Sequence, residues 1–295
     1  MTSDAASLPG SGTTALDRMP PHLFFVVSAI FHYLGPACAV LLFARIEPLG
    51  VMWLRIASAA TIFALWRRPW RAFFRLGARD RRTIVWLGIV LAAMNGCFYV
   101  AISLLPLSTV GAIEFLGPIG LAAFGMRSRR NLQALALAVA GVAILTDVRL
   151  AGTPVGYLFA FLNCALFVLY IVLGHRIARS SGSISSIDRL GAAMLVAMVA
   201  GLPIGFREAQ PAFSDPVLLA AGIGVGLASS VIPYVCDQLA MARLARASFA
   251  LLLSLLPATA CIIGIVVLGQ VPSPVELAGI ALVIAGVALH RPEPA

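Results

Sequence analysis

The chain has no lysine, and charged residues of every kind make up only 11% of its 295 positions. So little charge cannot cover a soluble domain of this size, whose composition ordinarily runs near 25% charged. The five cysteines, Cys38, Cys97, Cys164, Cys236 and Cys261, lie far apart in apolar sequence with no C-x-x-C and no histidine at ligand spacing. That pattern speaks against a disulfide framework or a zinc site, and the cysteines read as small hydrophobes. No H-E-x-x-H, P-loop, G-x-S-x-G or cluster of metal ligands occurs, so the expectation is no enzyme, no cofactor, no metal and no direct use of ATP.

What is present is hydrophobic: 61% of the residues. They form apolar stretches of about 17 to 25 residues, the length that spans a bilayer as a helix. The pattern predicts an all-α integral membrane protein of about ten helices, over 22–44, 48–67, 83–104, 107–126, 131–147, 153–174, 184–205, 216–240, 245–269 and 274–290. Residues 1–21, rich in Gly, Ser, Thr and Pro, read as a disordered tail, and 291–295 as a short C-terminal one. The connecting loops leave no room for a soluble domain.

The net charge of +9 would suggest nucleic acid in a soluble protein. Here the arginines fall in loops on alternate sides, which topology explains better. Arg67, Arg68, Arg71, Arg75, Arg79, Arg81 and Arg82 follow the second span, Arg127, Arg129 and Arg130 the fourth, and Arg176, Arg179, Arg243 and Arg246 the later even-numbered spans. The other side has only Arg45, Arg149 and Arg207. Both termini are therefore expected in the cytoplasm.

The chain also resembles itself. Ala140-Gly141-Val142-Ala143 recurs as Ala285-Gly286-Val287-Ala288, Leu116-Gly117-Pro118 as Leu255-Leu256-Pro257, and Arg55 has a counterpart in Arg189. The shared order predicts two five-helix repeats, 22–147 and 148–290, and since five is odd the second sits inverted. Inverted repeats are common in secondary transporters, with substrate held near the midplane between halves.

Charges within the spans cost several kcal/mol unless they meet a partner, a cavity or a pathway. Arg55 and Glu114 fall at similar depth, about 10 Å below the outer boundary, and are expected to pair; Arg189 and Asp237 form the corresponding couple on the inner side. Asn95 with Tyr99, Tyr234 with Asp237, and Asn163 with Tyr170 share helix faces and offer a polar lining for a small zwitterion. His32 is a further candidate for coupling. Pro118, Pro233 and Pro257 interrupt backbone hydrogen bonding within spans and are candidate hinges, and Arg189 a gating residue. Gly222, Gly224 and Gly226, like Gly201 and Gly205, read as close-packing surfaces.

Asn95 through Tyr99, Val110-Gly111-Ala112-Ile113-Glu114-Phe115-Leu116-Gly117-Pro118, Ile232-Pro233-Tyr234 followed by Asp237, and the segment 279–289 resemble the drug/metabolite transporter superfamily of EamA type. The resemblance is closest to its bacterial threonine/homoserine exporter branch. It implies an inner-membrane exporter of amino acids or related metabolites driven by proton exchange, and carries Glu114 and Asp237 over as functional carboxylates. Two positions depart from that branch: Leu256 stands where it tends to have Glu before the proline, and Gln270 follows Gly269 where it has Gly-Glu. The expected partners are a small molecule, protons and membrane lipids, not nucleic acid, with a homodimer left open. A flippase for a lipid-linked substrate is the alternative, followed by an integral-membrane enzyme.

The orientation has a direct check. A cysteine introduced between Arg67 and Arg82, in a background without the native cysteines, is expected to react with an impermeant thiol reagent only after the cytoplasmic face is exposed; labelling from outside would overturn both the orientation and the inversion.

Overall fold

A computed structural model of the protein describes residues 21–125, 128–149, 154–178, 185–241 and 256–289. All regular structure among them is helical, as a membrane interior demands of a chain whose backbone groups must be satisfied without water. The helices are α1 Pro21–Leu42, α2 Pro48–Arg67, α3 Pro69–Arg75, α4 Ala78–Leu104, α5 Leu107–Gly125, α6 Arg129–Arg149 and α7 Pro154–Ala178. They continue with α8 Ser186–Gly205, α9 Gln210–Ser214, α10 Pro216–Gly226, a π-helical turn Leu227–Val231, α11 Ile232–Met241, α12 Leu256–Leu268 and α13 Pro274–Leu289. Five apolar stretches, Pro48–Arg67, Ala78–Leu104, Pro154–Gly174, Ile187–Gly205 and Pro216–Cys236, are long enough to cross a membrane. The predicted tails lie outside the described residues.

Local chemistry sets the helix starts. Proline opens α2, α3, α7, α10 and α13, a first-turn position where its missing N–H costs nothing. Asp215 caps α10, its carboxylate accepting from Val217 N–H at 2.9 Å, and Ser185 caps α8 by accepting from Asp188 N–H. Ser273 and Glu276 form a reciprocal capping box on α13: Ser273 N–H donates to the Glu276 carboxylate at 2.7 Å and Glu276 N–H to Ser273 Oγ at 3.3 Å.

Three features depart from the predicted spans. The arginine-rich loop contains the short helix α3, and the loop after α8 contains α9. The expected span over 216–240 is continuous from Pro216 to Cys236 but carries a π turn between α10 and α11, an irregularity that apolar periodicity does not register.

Small residues let the helices meet. α6 packs along α13, α4 against α7 and α8, α2 against α8, and α1 against α11 and α12. A Cβ placed on Gly141 would fall 2.5 Å from the carbonyl oxygen of Gly279, one on Gly279 would fall 2.9 Å from that of Gly141, and one on Gly286 2.7 Å from that of Ala134. The recurring Ala-Gly-Val-Ala pattern therefore supplies backbone contact between α6 and α13. Gly205 lies against Trp53 and the Leu49 carbonyl, Gly222 against Leu54, and Gly226 against the Arg55 carbonyl, whereas Gly224 faces open space. Trp53 Nε1 donates to the Met198 carbonyl at 3.0 Å, joining α2 to α8.

Gly141→Leu and Gly279→Leu each force the α6–α13 backbones apart and are expected to destabilise the folded protein by about 1–3 kcal/mol, read as an earlier midpoint in a detergent melting assay. The exposed Gly224→Leu serves as the control and should melt as wild type.

Candidate functional site

Arg55 lies on α2 with only 7% of its surface exposed, where an unsatisfied guanidinium would be very costly. Among the described residues it is satisfied by polar groups and not by an acid. Its Nε donates to Ser230 Oγ and its Nη2 to the Ser229 carbonyl, both at 3.1 Å, and its Nη1 donates to Asn95 Oδ1. Its charge also lies 5.6 Å from the centre of the Tyr99 ring, within cation–π range. Asn95 is held in turn by its own Nδ2, which donates to the Leu91 carbonyl one turn earlier at 2.7 Å. One cation thus ties α2 to α4 and to the π turn.

The predicted Arg55–Glu114 ion pair does not form. Equal depth places two residues at one level of the membrane but says nothing of their azimuth, and Arg55 turns toward α4 and the π turn while Glu114 turns toward α7. Glu114 is 7% exposed and its Oε1 accepts from Asn163 Nδ2 at 3.3 Å. The two charges nonetheless lie close enough to act on one another.

His32 and Tyr33 on α1 lie near them. His32 feels the charge of Arg55 and Tyr33 that of Glu114, and the two rings meet edge to face at 5.3 Å. Tyr33 is fully buried, and its hydroxyl lies against Gly111, one turn before Glu114, where an added Cβ would fall 3.2 Å away. Two residues further along α1, Gly35 lies against the Oγ, Cβ and Cα of Ser229.

The other candidates divide. Tyr99 and Asn163 are fully buried and Asn95 nearly so, and the structure gathers all three with Arg55 and Glu114. Tyr170 stacks on Phe167 with centroids 6.0 Å apart. Tyr234 packs beside Ala59, Ala60, Phe63, Met194 and Val231. Pro233 accepts through its carbonyl from Ser28 Oγ, joining α11 to α1, and Pro257 is buried at the start of α12. Arg189 is 4% exposed, so it does not snorkel to the surface. The side chains of Asp237 and Pro118, and with them the expected Arg189–Asp237 couple, lie outside those described. Beside Arg189, Asp188 takes a bidentate grip on Arg67, at 2.8 and 3.2 Å, clasping the end of α2 to the start of α8.

Reading the sequence missed Ser229 and Ser230, 2% and 1% exposed, and marked Gln270 as a lost acid without its capping role. The side-chain carbonyl of Gln270 accepts from Leu107 N–H at 3.1 Å and caps α5, the helix that carries Glu114. Gly269 makes that return possible, since its φ of +64° is a conformation that glycine adopts freely. A cap of this kind needs an acceptor oxygen, and an amide supplies one as well as a carboxylate. The second departure is filled apolarly: Leu256 is 8% exposed within the main core.

Comparison with known proteins fits this arrangement. Residues 154–290 match the EamA-like transporter family. The chain is 29% identical over 288 residues to the threonine/homoserine exporter RhtA of Escherichia coli, covering 94% of this chain and 93% of that protein. Against RhtA of Salmonella typhimurium it is 28% identical over 281 residues, with the same shares covered. A solved crystal structure shares the fold with a TM-score of 0.57 at 20% identity, covering 91% of this chain and 95% of the other. The second half of the chain thus matches an EamA-like transporter family, and nearly its whole length resembles the threonine/homoserine exporters.

Proposed function

We propose that this protein is a secondary active exporter of small polar metabolites, chiefly amino acids of the threonine and homoserine kind. It works in the bacterial inner membrane by alternating access in exchange for protons. The observation that carries the proposal is a buried cation and a buried carboxylate, Arg55 and Glu114, each held by neutral groups and neither neutralised by the other. A stable scaffold would have paired such charges or dispensed with them. A carrier leaves them for its cargo. A carboxylate so placed calls for a counter-charge, and a proton and a substrate ammonium are the two that an exchanger alternates.

The packing supports ten spans in two inverted repeats. α1 meets α11 and α12 just as α7 meets α4 and α5, the same partners with the halves exchanged, while α2 with α8 and α6 with α13 pair across the centre. The family match begins where α7 begins, in keeping with a second repeat starting there. Both termini are cytoplasmic in this reading. A polar cluster enclosed by helices suits a small solute better than a lipid tail, which favours the exporter over the flippase.

With a proton gradient imposed across proteoliposomes, wild-type protein should accumulate labelled threonine against its gradient. Glu114→Gln should lower that accumulation at least about 10-fold, the scale of one lost charged hydrogen bond, while remaining correctly inserted. The double change Glu114→Gln with Asp237→Asn should leave at most gradient-independent exchange. Undiminished proton-driven accumulation by the double mutant would exclude proton coupling through these acids.

A further inference from the structure

Four polar atoms at this site are buried without a hydrogen-bond partner: Tyr99 Oη, Ser229 Oγ, Tyr33 Oη and the Asn163 Oδ1 oxygen. Leaving such groups unpaired costs free energy, so four in one region call for a partner that the described residues do not supply. They also sort by place. Tyr99 and Ser229 flank Arg55: the Tyr99 hydroxyl faces Arg55 and Ser229 without a bond of good geometry to either, and the Ser229 backbone is itself bonded to the guanidinium. Tyr33 and Asn163 flank Glu114.

Their chemistry suits the charge that each set adjoins. Around Arg55 the two hydroxyls can donate, as can the second N–H on each of Nη1 and Nη2, since each spends only one on the protein. Around Glu114 the spare groups can accept. The carboxylate takes the Nδ2 end of Asn163, which leaves the amide oxygen unspent beside it, and the Tyr33 hydroxyl can accept too. Tyr33, beside the Glu114 set, and Gly35, against Ser229 of the Arg55 set, are two residues apart on α1, about 3 Å along the helix axis, so the two sets lie at neighbouring levels of the bundle.

We infer that Arg55, Tyr99 and Ser229 form a cradle for the substrate carboxylate, that Glu114, Asn163 and Tyr33 receive its ammonium, and that the transported species is therefore the intact zwitterion. The inference rests on the exporter reading and adds what it lacks: which end of the substrate each half of the site takes, and Ser229 as a binding residue. A substrate missing either charge leaves one set of buried groups unpaired. Discrimination should then be steep, because a site built to hydrogen-bond a group rejects the analogue that lacks it more strongly than an apolar pocket rejects a change in size.

The test is competition against labelled threonine bound to the purified full-length protein, using threonine, threonine amide and 3-hydroxybutyrate. The amide lacks the carboxylate and 3-hydroxybutyrate lacks the ammonium. Each should compete at least about 10-fold more weakly than threonine, the scale of one charged hydrogen bond. In Tyr99→Phe and Ser229→Ala the gap between threonine and its amide should narrow while competition by the amide holds; in Asn163→Ala the gap between threonine and 3-hydroxybutyrate should narrow instead. Melting curves matching wild type separate these effects from misfolding, and the conservative Ser229→Thr, which restores the hydroxyl, provides a second reading on the cradle. If threonine binds and the amide competes equally well, the cradle is wrong and the exporter reading stands. If none of the labelled threonine binds, the amino-acid exporter reading falls and the inference with it.

Discussion

The rest of the structure depends on how a guanidinium is kept inside a bundle of apolar helices. In a membrane interior Arg55 has no water to turn to, so its donors must be met by protein, and three elements converge to meet them: Asn95 from α4, and Ser229 and Ser230 from the π turn. The π turn is part of that answer. A π segment breaks the regular ladder of backbone bonds, and here the carbonyl of Ser229 accepts from the cation. Arg55 thereby fixes where α10 gives way to α11, and with it the placing of the helix segment that carries Tyr234 and Asp237. Because no acid among the described residues pairs with the cation, its positive charge remains for an anionic group to meet.

Around that centre the remaining interactions hold helices close and leave the charges alone. Backbone contact at Gly141, Gly279 and Gly286 locks α6 to α13, away from the polar cluster. The Trp53–Met198 bond and the Arg67–Asp188 clasp hold α2 to α8 near its two ends. The clasp is partly exposed, so it contributes little to stability. Gln270 steadies α5 from its first turn, which bears on the aim of Glu114 two turns later. Its amide serves a purpose that needs only an acceptor, so the absence of an acid there removes no charge from the interior cluster.

Much of this could be read from the residues alone. A membrane interior penalises polar groups heavily, so those that occur stand out, and Arg55, Glu114, Asn95, Tyr99 and Asn163 were visible for that reason. The glycine surfaces were visible because small residues recur where helices touch. Partner choice was not. Residue count gives depth along an axis, and the Arg55–Glu114 pairing assumed an azimuth that only the packed helices define. Ser229 and Ser230 escaped notice because serine is common in apolar helices, where it can bond to its own preceding turn, as Ser58 does here with the Leu54 carbonyl. The π turn has no composition signal, and Gln270 stands out in the sequence only as a missing acid until the helix it caps is in place.

The claim at the centre is that the space between Arg55 and Glu114 is where the substrate sits. In a background without the native cysteines, Ser229→Cys places a single thiol beside the guanidinium, and its alkylation rate in membranes can be followed with and without threonine. The account predicts that saturating threonine slows the reaction several-fold while alanine amide, which lacks a carboxylate, leaves it unchanged. An alkylation rate indifferent to threonine, in a variant that still transports it, would place the substrate elsewhere and contradict the account.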